Sequence, residues 1–249
     1  MSAQTHLAQI GALLGDPARA NILLALMDGR ARTAKELAFL ARVSAPTASA
    51  HLGKLADGGL LAVVAQGRHR YYRIASVETG HMLETMLGFA GGRMRTARRA
   101  GPADLRLRTA RTCYDHIAGR LGVAIAQHLQ KAGHVVLDDG AGQISASGHA
   151  FFAKLGLDVS QGGSRGHRAL CRPCLDWSER RYHIGGTLGR ALCEHCLSEA
   201  WIERERDTRA LIITEAGREA FDSLFGWASM DEEEGACREE TAFEAGAFP

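Results

Sequence analysis

Residues 43–61 have the sequence VSAPTASAHLGKLADGGLL, which supplies a beginning and an end for one helix. Ser44 is a preferred N-cap residue, and Pro46 follows in the first turn, where a missing backbone N–H costs nothing. Gly58-Gly59 favours the end of the helix, because glycine is the usual residue just beyond a helix C-terminus. The stretch therefore predicts a single helix between these residues.

The two faces of this predicted helix differ in chemistry. Leu52 and Leu55 lie three residues apart on one face, which indicates that this face is buried. The opposite face carries small or basic side chains, namely Thr47, Ser49, His51 and Lys54. A solvated face would carry glutamate and lysine instead, whereas small and basic groups can approach phosphates and base edges. The pattern is typical of a helix that lies in a DNA groove.

Two further helices are predicted before this one. Asp16-Pro17 supplies an N-cap and a first helical proline, and apolar residues at helical spacing follow. Thr33-Ala-Lys-Glu36 has the capping-box pattern, so a second, short helix begins there and carries Leu37 and Leu40 inward. That helix ends near Arg42, which leaves a tight turn before the helix described above. Two helices joined by such a turn form a helix-turn-helix.

A β-hairpin is predicted after these helices. Leu60–Gln66 and His69–Ile74 are rich in β-branched and aromatic residues, and they flank the turn residues Gly67-Arg68. The tip and the returning strand are basic, with Arg68, His69, Arg70 and Arg73. Such a hairpin would form a wing that lies along the DNA backbone.

These segments together resemble the winged helix-turn-helix repressors of the ArsR/SmtB type. The matching residues occur in the family's order between residues 5 and 90. They are Asp16-Pro-Ala-Arg-Ala-Asn-Ile-Leu23, Ser44-x-Pro-Thr-x-Ser-x-His-Leu52 with Leu55 and Gly59-Leu60, and Gly67-Arg-His-Arg-Tyr-Tyr72. The resemblance implies a homodimer that binds a palindromic operator in double-stranded DNA and releases it when an inducer binds.

The resemblance also implies which residues contact DNA and which form the dimer. The implied DNA contacts are Ser44, Pro46, Thr47, Ser49, His51, Lys54, Arg68, His69, Arg70 and Tyr72. Ala45 and Ala50 stand where relatives often carry base-reading side chains, so we expect more reliance on phosphate contacts and DNA shape. The first helix, His6–Leu14, and a helix around Met82–Phe89 would pair the two chains.

The metal sites that the resemblance suggests are incomplete in this sequence. The family's Cys-x-Cys pair precedes the recognition helix, but the corresponding segment Glu36–Arg42 has no cysteine. A second family site lies on the dimer helix, where His81 and Glu84 supply only half of the ligands, and we interpret His81 as a surface residue. An inducer site is therefore expected outside the DNA-binding half.

Charge is distributed unevenly along the chain. Residues 1–112 contain 16 Lys and Arg against seven Asp and Glu, whereas the last 22 residues contain one against seven. The overall charge of only +2 conceals this basic half. A basic surface favours the binding of nucleic acid, because counterions are released from the phosphates. The acidic tail, residues 228–249, lacks apolar periodicity and is expected to be disordered.

Length and composition predict a cytoplasmic protein of two domains with no membrane partner. The 249 residues contain no run of about 18 apolar residues, and Met1–Gln9 lacks the pattern of a signal peptide. The six cysteines are accordingly expected to be reduced thiols or ligands, not a disulfide framework.

We predict a mainly α fold with small β-hairpins (α+β). The predicted domains are a winged helix-turn-helix with the dimer helices at 1–92, a basic linker at 93–102, a duplicated sensor domain at 103–227 and the tail at 228–249. Gly91-Gly92 is expected to end the helix that begins at His81. One long helix is expected from Ala103 to Ala132.

The duplication is visible as a repeated motif. Arg111-Thr-Cys-Tyr-Asp115 matches Arg172-Pro-Cys-Leu-Asp176, and His116-Ile-Ala-Gly-Arg-Leu-Gly122 matches His183-Ile-Gly-Gly-Thr-Leu-Gly189. The second copy inserts Trp177–Tyr182 between its Asp and its His. Each copy is expected to run helix, hairpin, helix. Duplicated units of this kind commonly pack about a pseudo-two-fold axis, with a pocket where the copies meet.

The cysteines allow two interpretations. Cys171-x-x-Cys174 and Cys193-x-x-Cys196 are separated by 18 residues, which fits a zinc ribbon. However, the second pair lies inside a stretch of helical periodicity, whereas zinc-ribbon ligands lie on turns. Its counterparts in the first copy are Ala126 and Leu129, so ordinary packing is the favoured interpretation.

Cys113 and Cys174 differ from the other cysteines because the repeat keeps each with an Asp and a His. Two such sets near one axis could bind a soft metal ion through Cys113, His116, Cys174 and His183, or present a reactive thiol. No cofactor is certain, since the same residues could simply cap a helix, bond to backbone and pack. The candidate ligand-binding residues are Cys113, Tyr114, His116, Cys174, Asp176, Trp177 and His183.

Two functions remain from these observations. The first is a dimeric transcriptional repressor whose appended domain senses a small molecule, a metal ion or a thiol-reactive inducer. The alternative is a thiol- or metal-dependent enzyme that the winged helix localises. Catalysis needs a nucleophile with a nearby base and an oxyanion site, and the sequence has no nucleophile elbow or Gly-rich loop. We therefore expect a regulator and no enzyme activity.

Overall fold

The computed structural model describes residues 3–67, 69–93, 104–138, 141–157, 159 and 169–228. The chain divides into two units. The first comprises Met1–Phe89 and Glu205–Arg209, and the second Ala90–Arg204 and Ala210–Pro249. Within the described ranges, no helix combines the length and the apolar character needed to cross a membrane. Residues 94–102 of the predicted linker (93–102) and residues 229–249 of the predicted tail (228–249) lie outside these ranges.

The first unit is built from helices and one small sheet. Its elements are α1 (Ala3–Leu14), α2 (Pro17–Leu26), β1 (Arg32–Thr33), α3 (Ala34–Ala41), α4 (Ala45–Asp57), β2 (Leu61–Gln66), β3 (His69–Ile74) and α5 (Val77–Arg93). The order of helices followed by a hairpin is that of a winged helix-turn-helix. The predicted fold of this half is confirmed.

Side-chain caps begin the helices where the sequence predicts. Asp16 accepts a hydrogen bond from the backbone N–H of Arg19 at the start of α2. Thr33 and Glu36 form a reciprocal capping box on α3, and the hydroxyl of Ser44 accepts from the N–H of Thr47 on α4. The helix-turn-helix is therefore specified locally, since each cap satisfies backbone groups that would otherwise lack partners.

The core of the first unit lies between α2, α3, α4 and the sheet. Leu52 and Leu55 of α4 are fully buried, as predicted. Leu37 of α3 is also fully buried, but Leu40 is 43% exposed, so its predicted inward position is wrong. The buried side of this short helix runs through Leu37, Ala38 and Ala41, which leaves Leu40 at its edge.

The wing is an antiparallel pair with one unpredicted addition. β2 and β3 pair from Leu61 opposite Ile74 to Gln66 opposite His69. The two-residue strand β1 adds to the other side of β3. Gly67 in the connecting turn has φ 57°, a left-handed conformation that glycine adopts without strain.

The last helix of the first unit is longer than expected. α5 runs from Val77 to Arg93 and passes through Gly91-Gly92, so the predicted end at these glycines is wrong. Glycine weakens a helix by about 1 kcal/mol, but it ends the helix only when its backbone turns left-handed.

The second unit contains two halves with the same order of elements. After α6 (Leu105–Thr109), the first half contains β4 (Arg111–Cys113), β5 (His116–Ala118), α7 (Gly119–Lys131), β6 (Val135–Asp138), β7 (Ala141–Ile144) and α8 (Ala146–Lys154). The second half contains β8 (Arg172–Leu175), β9 (Tyr182–Gly185), α9 (Gly186–Ser198), β10 (Ile202–Arg204), β11 (Leu211–Ile213) and α10 (Glu215–Phe225). Each half runs hairpin, helix, hairpin, helix.

The predicted long helix from Ala103 to Ala132 is therefore wrong. The predicted order helix, hairpin, helix is present in each half, but the prediction missed the hairpin that precedes it. Helical spacing of apolar residues cannot exclude short strands. Tyr114 at the hairpin turn has φ 71° and Gly119 has φ 78°, both outside the helical range. A Cβ on Gly119 would lie 2.6 Å from the carbonyl oxygen of Arg108, so only glycine fits at this position.

The two halves pack on each other reciprocally. Helix α7 of the first half packs on β9 of the second, and α9 packs on β5. A Cβ built on Gly122 would lie 3.5 Å from the Cβ of His183, and one on Gly189 would lie 3.1 Å from that of His116. The repeated glycines let each helix approach the hairpin of the other half.

We predict that the two leucines of α3 differ sharply in their contribution to stability. Leu37→Ala should lower the free energy of unfolding by about 2–5 kcal/mol, because it leaves a cavity in a closed core. The matched control Leu40→Ala should change it by about 1 kcal/mol or less. Chemical denaturation followed by circular dichroism checks both, and equal losses would contradict this placement of α3.

Candidate functional sites

The first candidate site is the exposed side of α4. Ser44, Pro46, Thr47, Ser49 and Lys54 are all exposed there, as the sequence predicts. The hydroxyls of Ser44 and Thr47 lie 2.7 Å apart and share a hydrogen bond at the start of the helix. This side of α4 is therefore small, polar and basic.

His51 lies differently from the other predicted DNA contacts. Its side chain is 15% exposed, with Nδ1 3.4 Å from a guanidinium nitrogen of Arg19 and Nε2 4.0 Å from a carboxylate oxygen of Asp16. These contacts place it against the start of α2. The position favours a role in packing α4 on α2 over the base contact that the sequence predicts.

The wing supplies exposed cations but loses one predicted contact. His69, Arg70 and Arg73 are exposed, and Arg68 lies outside the described residues. Tyr72 is only 7% exposed and belongs to the hydrophobic core, so its predicted DNA contact is wrong. Arg70, two residues earlier on the same face of β3, covers the Tyr72 ring with its guanidinium carbon 6.0 Å from the ring centroid.

The second candidate site is a buried cluster of two cysteines and two histidines. The Sγ atoms of Cys113 and Cys174 are 3.9 Å apart, and the Nε2 atoms of His116 and His183 are 3.1 Å apart. One ligand atom from each of the four residues lies within 4.8 Å of the others. All four side chains are buried. The cluster contains four of the seven predicted ligand residues.

Hairpin register explains why these four residues meet. Cys113 is directly opposite His116 in the first hairpin, and Cys174 is directly opposite His183 in the second. The inserted residues 177–182 lengthen the second hairpin and leave this pairing unchanged. Each half therefore offers one thiol and one imidazole from adjacent strand positions.

Asp176 joins the two halves beside this cluster. Its Oδ1 accepts hydrogen bonds from the guanidinium of Arg111 at 2.7 Å and from the N–H of Ser178 at 2.9 Å. Its Oδ2 accepts from the N–H of Gly119 at 2.8 Å. Because Gly119 begins α7, the carboxylate also caps a helix of the other half. The ion pair with Arg111 is almost completely buried.

The charges around Asp176 set its protonation state. Burial raises the pKa of a carboxyl group, but Arg111, His183 and the Gly119 N–H outweigh burial and hold the pKa of Asp176 well below its usual range. Burial likewise opposes the charge on His183, while Asp176, Cys113 and Cys174 raise the pKa of that imidazole well above 6.5. Asp176 is therefore a carboxylate at any physiological pH.

Each histidine of the cluster has a carboxylate on its Nδ1 side. Nδ1 of His116 is 3.3 Å from a carboxylate oxygen of Asp115. Nδ1 of His183 is 3.4 Å from Oδ2 of Asp176, a distance that fits an ion pair although the angles do not fit a hydrogen bond. A carboxylate on Nδ1 holds a proton there and orients Nε2, which is the nitrogen that would bind a metal ion in place of a proton.

The remaining predicted ligand residues lie around the cluster and not in it. Tyr114 is exposed at the turn of the first hairpin. Trp177 is buried, with its ring 5.3 Å from the guanidinium carbon of Arg111. Sequence reasoning did not select Arg111 as a site residue. A buried aspartate needs a cation to balance its charge, and the arginine that begins each repeat motif was the signal for such a partner.

The other described cysteines belong to the hydrophobic core of the second unit. Burial raises the pKa of Cys171 and Cys193 to about 11 and that of Cys196 to about 12, so these thiols stay protonated. Among the described residues, Cys174 groups with ligands from the first hairpin and not with the cysteines of α9. This arrangement supports packing over the zinc-ribbon alternative.

A small apolar cavity lies where the halves meet. Its volume is about 10 Å³, and its lining is Ile117, Gly122, Ile125, Ile184, Gly189 and Leu192. A volume of this size holds about one water molecule. The predicted pocket lined by the Cys, Asp and His residues is not this cavity, which is too small for an organic effector.

Known proteins match the helix-turn-helix and, in one case, most of the chain. A family model described as a helix-turn-helix domain matches residues 14–64. The chain is 43% identical over 217 residues to an uncharacterized HTH-type transcriptional regulator, YdfF, of Bacillus subtilis (strain 168). That match covers 87% of this chain and 96% of the relative, so it extends well beyond the helix-turn-helix.

Two solved structures with similar folds each match a little more than a third of this chain. The homodimeric winged helix-turn-helix DNA-binding domain of Mb0332 from Mycobacterium bovis, a possible ArsR-family regulator, is 26% identical, with a TM-score of 0.35. The match covers 38% of this chain and 87% of that fragment. The transcriptional repressor BigR from Xylella fastidiosa is 19% identical with a TM-score of 0.33, and the match covers 38% of this chain and 91% of BigR.

We predict that removing the charge of Asp176 destabilises the second unit. Asp176→Asn should lower the free energy of unfolding by about 3–5 kcal/mol, because it leaves Arg111 buried without its counter-charge. Asp115→Asn, at a carboxylate that is 26% exposed, should cost about 1 kcal/mol or less. Urea unfolding followed by tryptophan fluorescence measures both variants.

Two controls test the cause of this loss. Adding Arg111→Met to Asp176→Asn should recover part of the stability, because the buried cation is then gone too. The carboxylate of Asp176 stabilises the fold above a pH of about 4 and loses this effect as pH falls below it, so wild type and Asp176→Asn should converge in acid. An additive double variant would refute the proposed pair.

Proposed function

Because the chain belongs to the family of helix-turn-helix transcriptional regulators, we propose that it acts in the cytoplasm as a homodimeric repressor of the ArsR/SmtB type. It binds a palindromic operator through α4 and the wing. An effector bound at the Cys/His cluster of the second unit releases the DNA. The 43% identity to a transcriptional regulator over most of the chain is the observation that carries the regulatory role.

The chemistry of the exposed α4 surface supports DNA binding. Thr47, Ser49 and Lys54 offer short hydroxyls and one cation, and Arg70 and Arg73 add cations from the wing. Guanidinium and ammonium groups bind phosphate oxygens, whereas small polar side chains let a helix approach the base edges closely. With alanines at positions 45 and 50, most of the affinity comes from the phosphate backbone.

Exposed apolar side chains on α1 and α5 support a homodimer. Leu7 of α1 is 73% exposed, and Phe89 and Met86 of α5 are 67% and 46% exposed. Large apolar side chains exposed together on two helices are expected at an interaction site. The resemblance to ArsR/SmtB-type repressors assigns these same two helices to the dimer.

The Cys/His cluster supports the position of the effector site. The segment before α4, which carries the inducer thiols in related repressors, has no cysteine in this chain. The cluster instead brings two thiols and two imidazoles together in the duplicated unit. An effector weakens DNA binding if it binds the DNA-free protein more tightly than the DNA-bound protein.

The enzyme alternative receives less support. A catalytic thiol needs access to substrate, and Cys113 and Cys174 are both buried. The relative that matches most of the chain is described as a regulator. We therefore propose sensing, without turnover, at this cluster.

We predict that Arg70→Ala weakens the binding of any mixed-sequence duplex by a similar factor. The loss of one phosphate contact per subunit should reduce the slope of log affinity against log salt by about 2 for a dimer. Fluorescence anisotropy of a labelled duplex over a range of salt concentrations measures this slope.

Two matched variants sharpen this test. Arg218→Ala removes an exposed arginine from α10 and should leave the affinity unchanged. Ser49→Ala should alter the ranking of duplexes selected from a random pool, while the salt slope stays the same. If Arg70→Ala and Arg218→Ala behave alike, the wing does not contact DNA.

We predict that Leu7→Glu combined with Phe89→Glu converts the dimer to a monomer, because two charges per chain would be buried in an apolar interface. Sedimentation velocity gives the mass directly. Phe39→Glu, at an equally exposed apolar residue on α3, is the control and should leave the dimer intact. A wild-type monomer, or a double variant that remains dimeric, would place the interface elsewhere or exclude it.

A further inference from the structure

We infer that Cys113, His116, Cys174 and His183 form a tetrahedral Zn²⁺ site in which each half of the second unit supplies one thiolate and one imidazole. The inference names the ligand of the effector site, so its effect on DNA rests on the proposed function. The binding of the ion itself does not.

The spacing of the four ligand atoms fits a tetrahedral ion. With Zn–S of about 2.3 Å and Zn–N of about 2.0–2.1 Å, tetrahedral angles place two sulfurs about 3.8 Å apart and two nitrogens about 3.3–3.4 Å apart. The observed separations are 3.9 Å between the Sγ atoms and 3.1 Å between the Nε2 atoms. These two separations are close to the tetrahedral values, and all four ligand atoms lie within 4.8 Å of one another.

The two imidazoles face each other in a way that calls for a cation. The carboxylates on the Nδ1 sides of His116 and His183 orient both Nε2 atoms toward the same space, where they lie 3.1 Å apart. Two nitrogens at this separation share either a proton or a metal ion. The adjacent thiols favour the metal ion, because they can add two negative charges to its coordination shell.

Charge balance also supports a divalent ion. Two thiolates and two neutral imidazoles around Zn²⁺ give a neutral centre, which a buried site can hold without a large desolvation cost. The neighbouring charge on Asp176 is already balanced by Arg111. A two-sulfur, two-nitrogen donor set favours zinc over magnesium or calcium, which prefer oxygen ligands.

The carboxylates hold the imidazoles in place by unequal means. Asp176 is fixed by Arg111 and by the Gly119 N–H, so His183 is oriented before the ion arrives. Asp115 lies at a hairpin turn and is partly exposed, so His116 is held less rigidly. Both aspartates are positioning residues, and Asp115 is the one that can be changed with little loss of stability.

The test uses the full-length protein after chelation and dialysis under reducing conditions. Titration with Zn²⁺ against a chromophoric chelator should show one tight site per chain. Replacement by Co²⁺ should give the visible absorption of a tetrahedral centre together with a charge-transfer band whose intensity corresponds to two thiolates. This spectrum of the wild-type protein needs no variant, so it remains decisive if variants misfold.

Variants then identify the ligands. Cys174→Ser should halve the charge-transfer intensity and weaken Zn²⁺ binding, whereas Cys193→Ala, at a buried thiol outside the cluster, should leave both unchanged. Asp115→Asn should weaken Zn²⁺ binding by about 10- to 100-fold, while the cobalt spectrum keeps its shape. Loss of the spectrum in Cys193→Ala, or a four-thiolate spectrum in wild type, would overturn the assignment.

DNA binding separates the two proposals. If the protein takes up no Zn²⁺ but binds DNA, the metal site fails and the regulatory role stands. If it binds one Zn²⁺ and duplex affinity is the same with and without the ion, the site stands as a structural centre and the proposed effector role fails. Release of DNA on adding Zn²⁺ to wild type, but not to Cys174→Ser, supports both.

Discussion

The second unit depends on one buried carboxylate. Asp176 accepts hydrogen bonds from Arg111 and from the first N–H of α7, both in the other half, and it lies beside the imidazole of His183. A charge buried this deeply is tolerable only because every neighbour stabilises it. The same contacts hold the two hairpins together and orient one side of the Cys/His cluster. Stability and site geometry in this unit therefore have a common origin.

Much of the first unit could be predicted because its determinants are local. The caps at Asp16, Thr33 and Ser44 involve residues no more than three positions apart, and they fall where the sequence indicates. The prediction of a DNA-binding transcriptional regulator with a winged helix-turn-helix is confirmed as well. Leu40 and Tyr72 were placed wrongly because burial depends on which neighbours cover a side chain, and apolar spacing alone does not specify them.

The second unit was harder to predict because its determinants are non-local. The motif around Cys113 recurs 61 residues later, so the duplication and its Cys, Asp and His residues were visible in the sequence. The leading hairpins were not, since the segment from 105 to 125 also fits a helical spacing of apolar residues. The ion pair between Arg111 and Asp176 joins residues from different copies, so no pattern of neighbouring residues predicts it.

The reciprocal contribution of ligands has a consequence for how such a unit could arise. Neither half holds more than one thiol and one imidazole of the cluster, so a chain with a single half could assemble all four only by pairing with a second copy. Fusing two copies turns that encounter into an intramolecular one and frees it from protein concentration. Once fused, the copies no longer had to remain identical. Arg111 is buried against Asp176, whereas its counterpart Arg172 is exposed, and the inserted residues 177–182 are found in one half alone.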